Sequence, residues 1–120
     1  MHADRLALMA AERGAKPVAI WHSGKLRARQ TAEAYWRACN PLAELTAIGG
    51  LRPDDSPGRI RDLVAAEARE VMLVGHMPSL PKILRLLVLG SADGALEFPL
   101  HGIVALEAEG DLWVERWRLM

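Results

Sequence analysis

The 120-residue chain holds one cysteine, Cys39. No internal disulfide can form, and a reducing compartment suits the chain. Cys39 itself reads as a small hydrophobe on a helix. Net charge is absent too: fifteen basic and fifteen acidic side chains cancel. Without an overall field, nothing draws the chain to nucleic acid or to an anionic membrane surface. No apolar run approaches the ~20 residues needed to span a bilayer. Charges at Asp4, Arg5, Glu12 and Arg13 deny the N-terminus the apolar core of a secretory signal, so the cytoplasm is the expected location. Aromatic residues are few, and Trp113 and Trp117 read as packing residues on one strand face rather than as a base-stacking platform. No internal repeat, low-complexity tract or linker is present. The chain also lacks a G-x-S-x-G elbow, which argues against a serine hydrolase. Ser23-Gly24-Lys25 lacks the upstream glycine and the following Ser/Thr of a phosphate-binding P-loop.

What is present is globular. Hydrophobic residues make up 51% of the chain, and a domain of this length buries roughly two thirds of its unfolded surface; residues 1–120 are expected to form one domain. Leu6, Met9 and Ala10 fall at helical spacing and predict a helix over 3–13, stopped by Gly14. Val18-Ala19-Ile20-Trp21 is a short strand ending at His22-Ser23-Gly24. A helix over 25–39 follows, with Ser23 or Gly24 near its N-cap and Pro41 beyond its end. A further short strand lies within 42–48 and is broken by Gly49-Gly50. Ser56-Pro57 predicts an N-cap with proline in the first helical position, and Ile60, Leu63, Val64 and Ala68 stripe that helix.

Val71-Met72-Leu73-Val74-Gly75 reads as an inner strand of a parallel sheet, covered on both faces. Leu80, Ile83, Leu84, Leu87 and Val88 stripe a helix that ends at Gly90. The tail reads as two strands, 102–107 and 112–117, turning at Glu109-Gly110-Asp111. Alternating strands and helices closed by a hairpin predict a three-layer α/β/α domain, its sheet mostly parallel with a C-terminal antiparallel hairpin.

Two strand-to-helix junctions carry the chemistry. His76 stands at the carboxyl end of one strand, just before a helix. That edge of an α/β sheet is where ligands bind, and free N–H groups at a helix start favour anions. Ser23 through Ala32 forms the other junction, where Arg27 lies one helical turn beyond Ser23 and can reach back over the helix start. A guanidinium fork suits a phosphoryl group because it makes two charge-assisted hydrogen bonds. Arg27, His76, Ser23 and the backbone near Met77 are therefore expected to line one anion pocket, with Arg29 a solvated helix charge.

Ser23-Gly24-Lys25-Leu26-Arg27-Ala28-Arg29-Gln30-Thr31-Ala32, followed by Val74-Gly75-His76-Met77-Pro78, resembles the motif pair of the histidine phosphatase (phosphoglycerate mutase-like) superfamily. The likeness is greater to its small phosphohistidine phosphatase branch, and it runs over nearly the whole chain. The resemblance implies a phosphohydrolase that works through a covalent phosphohistidine, without metal or cofactor. Arg27 and His76 match the family's second arginine and second histidine, which grip the phosphoryl oxygens. The implied substrate is a phosphorylated protein or a small phosphorylated molecule.

The sequence departs from the family at one decisive place. The family's nucleophile belongs to an Arg-His-Gly motif closing its first strand, and no Arg-His-Gly occurs here. The chain begins where the family's first helix is already under way, so it is expected to lack that first strand, which in the family lies beside the strand bearing the second histidine. His2 has no strand before it and no flanking arginine or glycine, His22 reads as a rim residue, and His101 as structural. Gly24 replaces the proline usual after the serine. Asp54 and Asp55 are the loop acids nearest such a pocket, and they read as capping residues for the next helix. Without its neighbour the strand at 71–75 must find another. The expected consequence is an abnormal homodimer or a poorly stable protein. The expected activity of the chain as given is negligible, and a pseudophosphatase that binds phosphorylated ligands or partners without turnover is the alternative.

Overall fold

The computed structural model describes residues 2–120. In chain order it runs α1 (His2–Glu12), β1 (Ala19–His22), α2 (Leu26–Cys39), β2 (Glu44–Ala47), α3 (Gly58–Ala66), β3 (Val71–Val74), α4 (Ser79–Leu89), β4 (Ile103–Glu109) and β5 (Leu112–Leu119). Strands β2, β1 and β3 form a parallel sheet in that order, with Ala19 opposite both Glu44 and Val71. β4 and β5 form a separate antiparallel hairpin, bulged between Ala105 and Leu106.

Strand periodicity sorts side chains between two cores. On one face Ile20 and Val74 pack with Leu6, Ala7, Ala10, Ala28, Ala32 and Tyr35 from α1 and α2, and Met72 sits against them. The four alanines let the two helices approach closely, while Leu6 and Ile20 supply the volume, each worth about 1.5–3 kcal/mol when buried. On the other face Leu51, Ile60, Val64, Ile83 and Leu87 form the second core, with Trp21, Val71 and Leu73 against it. The result is the expected three layers. The hairpin joins both cores, Leu119, Ile103 and Trp117 packing on the first and Leu106 and Trp113 on the second. It therefore continues the sheet layer beyond β3 without pairing to it.

Several element boundaries differ from the sequence reading for local reasons. β3 is an edge strand, not an inner one: β1 is the middle strand, and only Val74 of β3 is buried. The apolar run of β3 faces an open cleft on its free side, which its composition does not distinguish from a neighbouring strand. The N-cap of α2 is Lys25, the residue after Gly24, which is held at φ +88° in the preceding turn. Ser56 does not cap α3; Pro57 takes that position, with no side-chain cap. Asp55 instead closes the Arg52–Asp55 turn, its Oδ2 accepting the Arg52 N–H at 2.9 Å. The fourth helix ends as expected at Gly90 in the left-handed conformation.

Candidate functional site

Parallel strands β1 and β3 end side by side, with His22 opposite Val74. Both chains leave the sheet at the same edge, and each leads into a helix. After β3 the turn passes through Gly75, where an added Cβ would stand 3.0 Å from the Leu51 carbonyl oxygen and 3.3 Å from Leu80 Cδ2. Glycine at this position lets the loop after β2 close against the turn. His76 follows, and its carbonyl accepts the Leu80 N–H at 2.9 Å and the Ser79 hydroxyl at 3.0 Å. Ser79 is fully buried, so the turn that presents the His76 ring is anchored from beneath.

The β1 turn reaches the same ring. Ser23 Oγ lies 2.7 Å from His76 Nε2 and accepts the Lys25 N–H at 3.3 Å. Burial holds the His76 pKa below the usual histidine value, and the nearby Lys25 charge adds to that effect. The ring is therefore neutral at pH 7 in the unliganded protein.

A cleft of about 1030 Å³ opens between β3 and β4. Arg27, His76 and Met77 all line it, so both motifs border one cleft. Arg27 is exposed, and among the described residues it makes no hydrogen bond or ion pair. Ser23 is buried and does not line the cleft; it meets the site through its bond to His76. Of the four site residues read from sequence, three reach the cleft directly and the fourth supports one of them.

The remaining histidines divide. His22 is 6% exposed and does not line the cleft, so it is not a rim residue. Its Nδ1 accepts the Gly24 N–H at 3.1 Å; the spacing of the motif gives no sign of this bond. His2 and His101 do line the cleft and meet each other, His2 Nε2 donating to the His101 carbonyl at 2.9 Å with the rings edge-on at 6.2 Å. Nothing in the sequence joins them, since they come from opposite ends of the chain. Asp54 and Asp55 do not line the cleft, although Pro53 does. The acids that do are Glu70, whose Oε2 accepts the Lys16 N–H at 2.8 Å, and Glu107, which pairs with Arg116 at 3.1 Å. No group of three metal-ligating side chains occurs among the described residues. No helix of the described residues is long and apolar enough to cross a membrane.

No family model matches the sequence, and no curated protein matches it. Among solved structures the chain is similar to one assigned as the phosphohistidine phosphatase SixA from Agrobacterium tumefaciens. The TM-score is 0.79 at 27% identity, over 98% of this chain and 77% of that one. It is also similar to the protein histidine phosphatase SixA complexed with tungstate, with a TM-score of 0.84 at 18% identity and the same coverage of both chains. The second likeness is one of fold alone.

Proposed function

We infer that this chain is of the phosphohydrolase class of the histidine phosphatase superfamily, built to bind the phosphoryl group of a phosphohistidine-bearing protein or a small phosphoester, with the nucleophile absent from residues 1–120. The observation that carries this reading is that Arg27 and His76, from two separate strand-to-helix junctions, line one cleft in a phosphohistidine phosphatase-like fold. Arg27 is a free guanidinium with room for a bidentate contact to phosphoryl oxygens. Lys25 N–H already occupies one lone pair of Ser23 Oγ. If the Ser23 hydroxyl donates to Nε2, the ring proton of His76 sits on Nδ1. A bound dianion favours the imidazolium, so His76 gains charge when the phosphoryl group arrives. A tungstate complex of a similar structure supports a tetrahedral oxyanion as the ligand class.

In the proposed reaction a histidine nitrogen forms a bond to phosphorus as the substrate's P–N or P–O bond breaks. Water then attacks that phosphohistidine, releasing inorganic phosphate and restoring the nucleophile. Arg27 and His76 neutralise charge on the transferring phosphoryl oxygens, where one preorganised donor is typically worth about 10²–10³ in rate. An activated phosphohistidine needs little acid help, which fits the positions of Asp54 and Asp55 outside the cleft.

The nucleophile is the part that residues 1–120 do not supply. The cleft runs along the unpaired edge of β3 from Val71 to His76, with β4 opposite from Ile103 to Glu107. An extended segment between them would pair with β3 and, ending in Arg-His-Gly, would bring its histidine beside His76. A second copy pairing at the same edge would give a homodimer.

The test is phosphate release from an aryl phosphate and from a phosphohistidine protein, by residues 1–120 and by the same chain preceded by such a strand. The expected result is negligible turnover by the short chain and robust turnover by the long one, abolished by Arg27→Ala or His76→Ala. Binding without turnover in both would favour a pseudophosphatase. Robust turnover by the short chain, lost on His2→Ala or His22→Ala, would overturn the assignment of the nucleophile.

A further inference from the structure

His22 takes no part in the cleft, yet it is built into the turn that touches it. It closes β1 and is 6% exposed, and Ser23 beside it is 5% exposed. The Gly24 backbone N–H donates to His22 Nδ1 at 3.1 Å. Two donors cannot face each other, so Nδ1 carries no proton and the neutral ring holds its hydrogen on Nε2. Gly24 stands at φ +88°, a conformation that side chains resist. Between these bonded residues lies Ser23. Its Oγ is fixed on one side by the Lys25 N–H at 3.3 Å and on the other meets His76 Nε2 at 2.7 Å. Three successive contacts thus connect His22 to Gly24, the Ser23 turn to Lys25, and Ser23 to His76.

We propose that His22 is a positioning residue, which holds the Ser23–Gly24 turn through its Nδ1 and so sets the orientation of the His76 ring in the cleft. The proposal rests on the reading of His76 as an oxyanion ligand. The competing role is purely steric, in which the imidazole fills the end of β1 and any side chain of similar volume would serve.

The two roles separate by comparing His22→Asn with His22→Leu. The Asn oxygen can take the place of Nδ1 as acceptor for the Gly24 N–H, whereas Leu keeps the bulk and loses the acceptor. The readouts are the ring nitrogen resonances of His76 and the affinity for tungstate, measured on the 120-residue chain, with Ser23→Ala as reference. His22→Asn is expected to keep both within about twofold, and His22→Leu to shift the His76 Nε2 resonance toward its Ser23→Ala position and weaken tungstate about tenfold, as befits one lost hydrogen bond. Wild-type behaviour in His22→Leu, or equal loss in both variants, would overturn the proposal. Should His22→Leu fail to fold, Ser23→Ala decides: an unmoved His76 resonance there overturns it as well. Absence of tungstate binding by the unmodified protein would refute the oxyanion reading instead, while the His76 resonances still report on His22.

Discussion

Ser23 Oγ and His76 Nε2, fifty-three residues apart in sequence, meet at 2.7 Å where β1 and β3 end side by side. The bond ties the two strand-to-helix junctions together behind the cleft. It leaves Arg27 free on one side and the His76 ring at the cleft wall on the other. Each junction is also fixed locally, by Gly24 N–H to His22 at the end of β1 and by the Ser79 hydroxyl at the start of α4 to the His76 carbonyl. In the proposed reading a phosphoryl group would meet a His76 ring already held in place and an Arg27 guanidinium that no described residue competes for.

The site makes the protein sensitive to mild acid. Burial lowers the His22 pKa, the Arg29 charge lowers it further and Glu33 opposes; burial and then Lys25 lower that of His76. In the unfolded chain both titrate near the usual histidine value of about 6.5. Between that value and the lower folded ones the unfolded chain binds more protons, so stability falls as pH drops through this window. Well above about pH 6.5, where both histidines are unprotonated in both states, these two groups contribute no slope. Unfolding curves at a series of pH values, with ring titrations followed by NMR, are expected to show both histidines titrating below the free value. A ring titrating above it would contradict the stated cause.

Gly75 is the tightest point of the β3 turn. Gly75→Ala pushes a methyl against the Leu51 carbonyl, a backbone atom that cannot swing aside. A loss of about 1–3 kcal/mol is expected from such overpacking. Leu42→Ala, at a side chain 94% exposed, is expected to stay within about 0.5 kcal/mol of the parent. Denaturant midpoints measure both.

Much of this was legible in the sequence because punctuation and periodicity agreed. Gly14, Gly24, Pro41 and Gly90 bracket their elements, and the Ile20/Trp21 alternation separates the two cores. The motif residues Arg27 and His76 were readable as one cleft because each follows a strand and opens a helix. The edge position of β3 was not readable from its own residues, since Val71-Met72-Leu73 has the same composition whether it faces a strand or a cleft; it was signalled by the absence of an Arg-His-Gly strand to lie beside it. The Ser56 cap did not form: Pro57 takes the cap position, and the Asp55 carboxylate closes the turn before it. The burial of His22 was hidden for a related reason: its partner is a backbone N–H two residues away, which leaves no trace in residue identity.

The free edge of β3 leads to a prediction about assembly. Its cleft-facing backbone groups have no strand partner among the described residues, and an open edge is a template for pairing. Hydrogen exchange is expected to be fast at the cleft-facing amides of Val71–Val74 and slow at those bonded to β1. Sedimentation velocity is expected to reveal concentration-dependent dimers. A monomer at every concentration, with all β3 amides protected, would mean that the chain closes its own edge.

The measurement that bears most directly on the central claim, that Arg27 and His76 form one oxyanion site, is a tungstate titration of the isotope-labelled protein and of Arg27→Ala. Saturable binding that raises the His76 pKa is the expected result. Arg27→Ala should weaken that binding roughly ten- to a hundredfold, the worth of about 1.5–3 kcal/mol for hydrogen bonds to a charged group. The unfolding midpoint should not change, because Arg27 is exposed and bonded to no described residue. Binding that ignores Arg27→Ala, or that leaves the His76 ring unmoved, would contradict the claim.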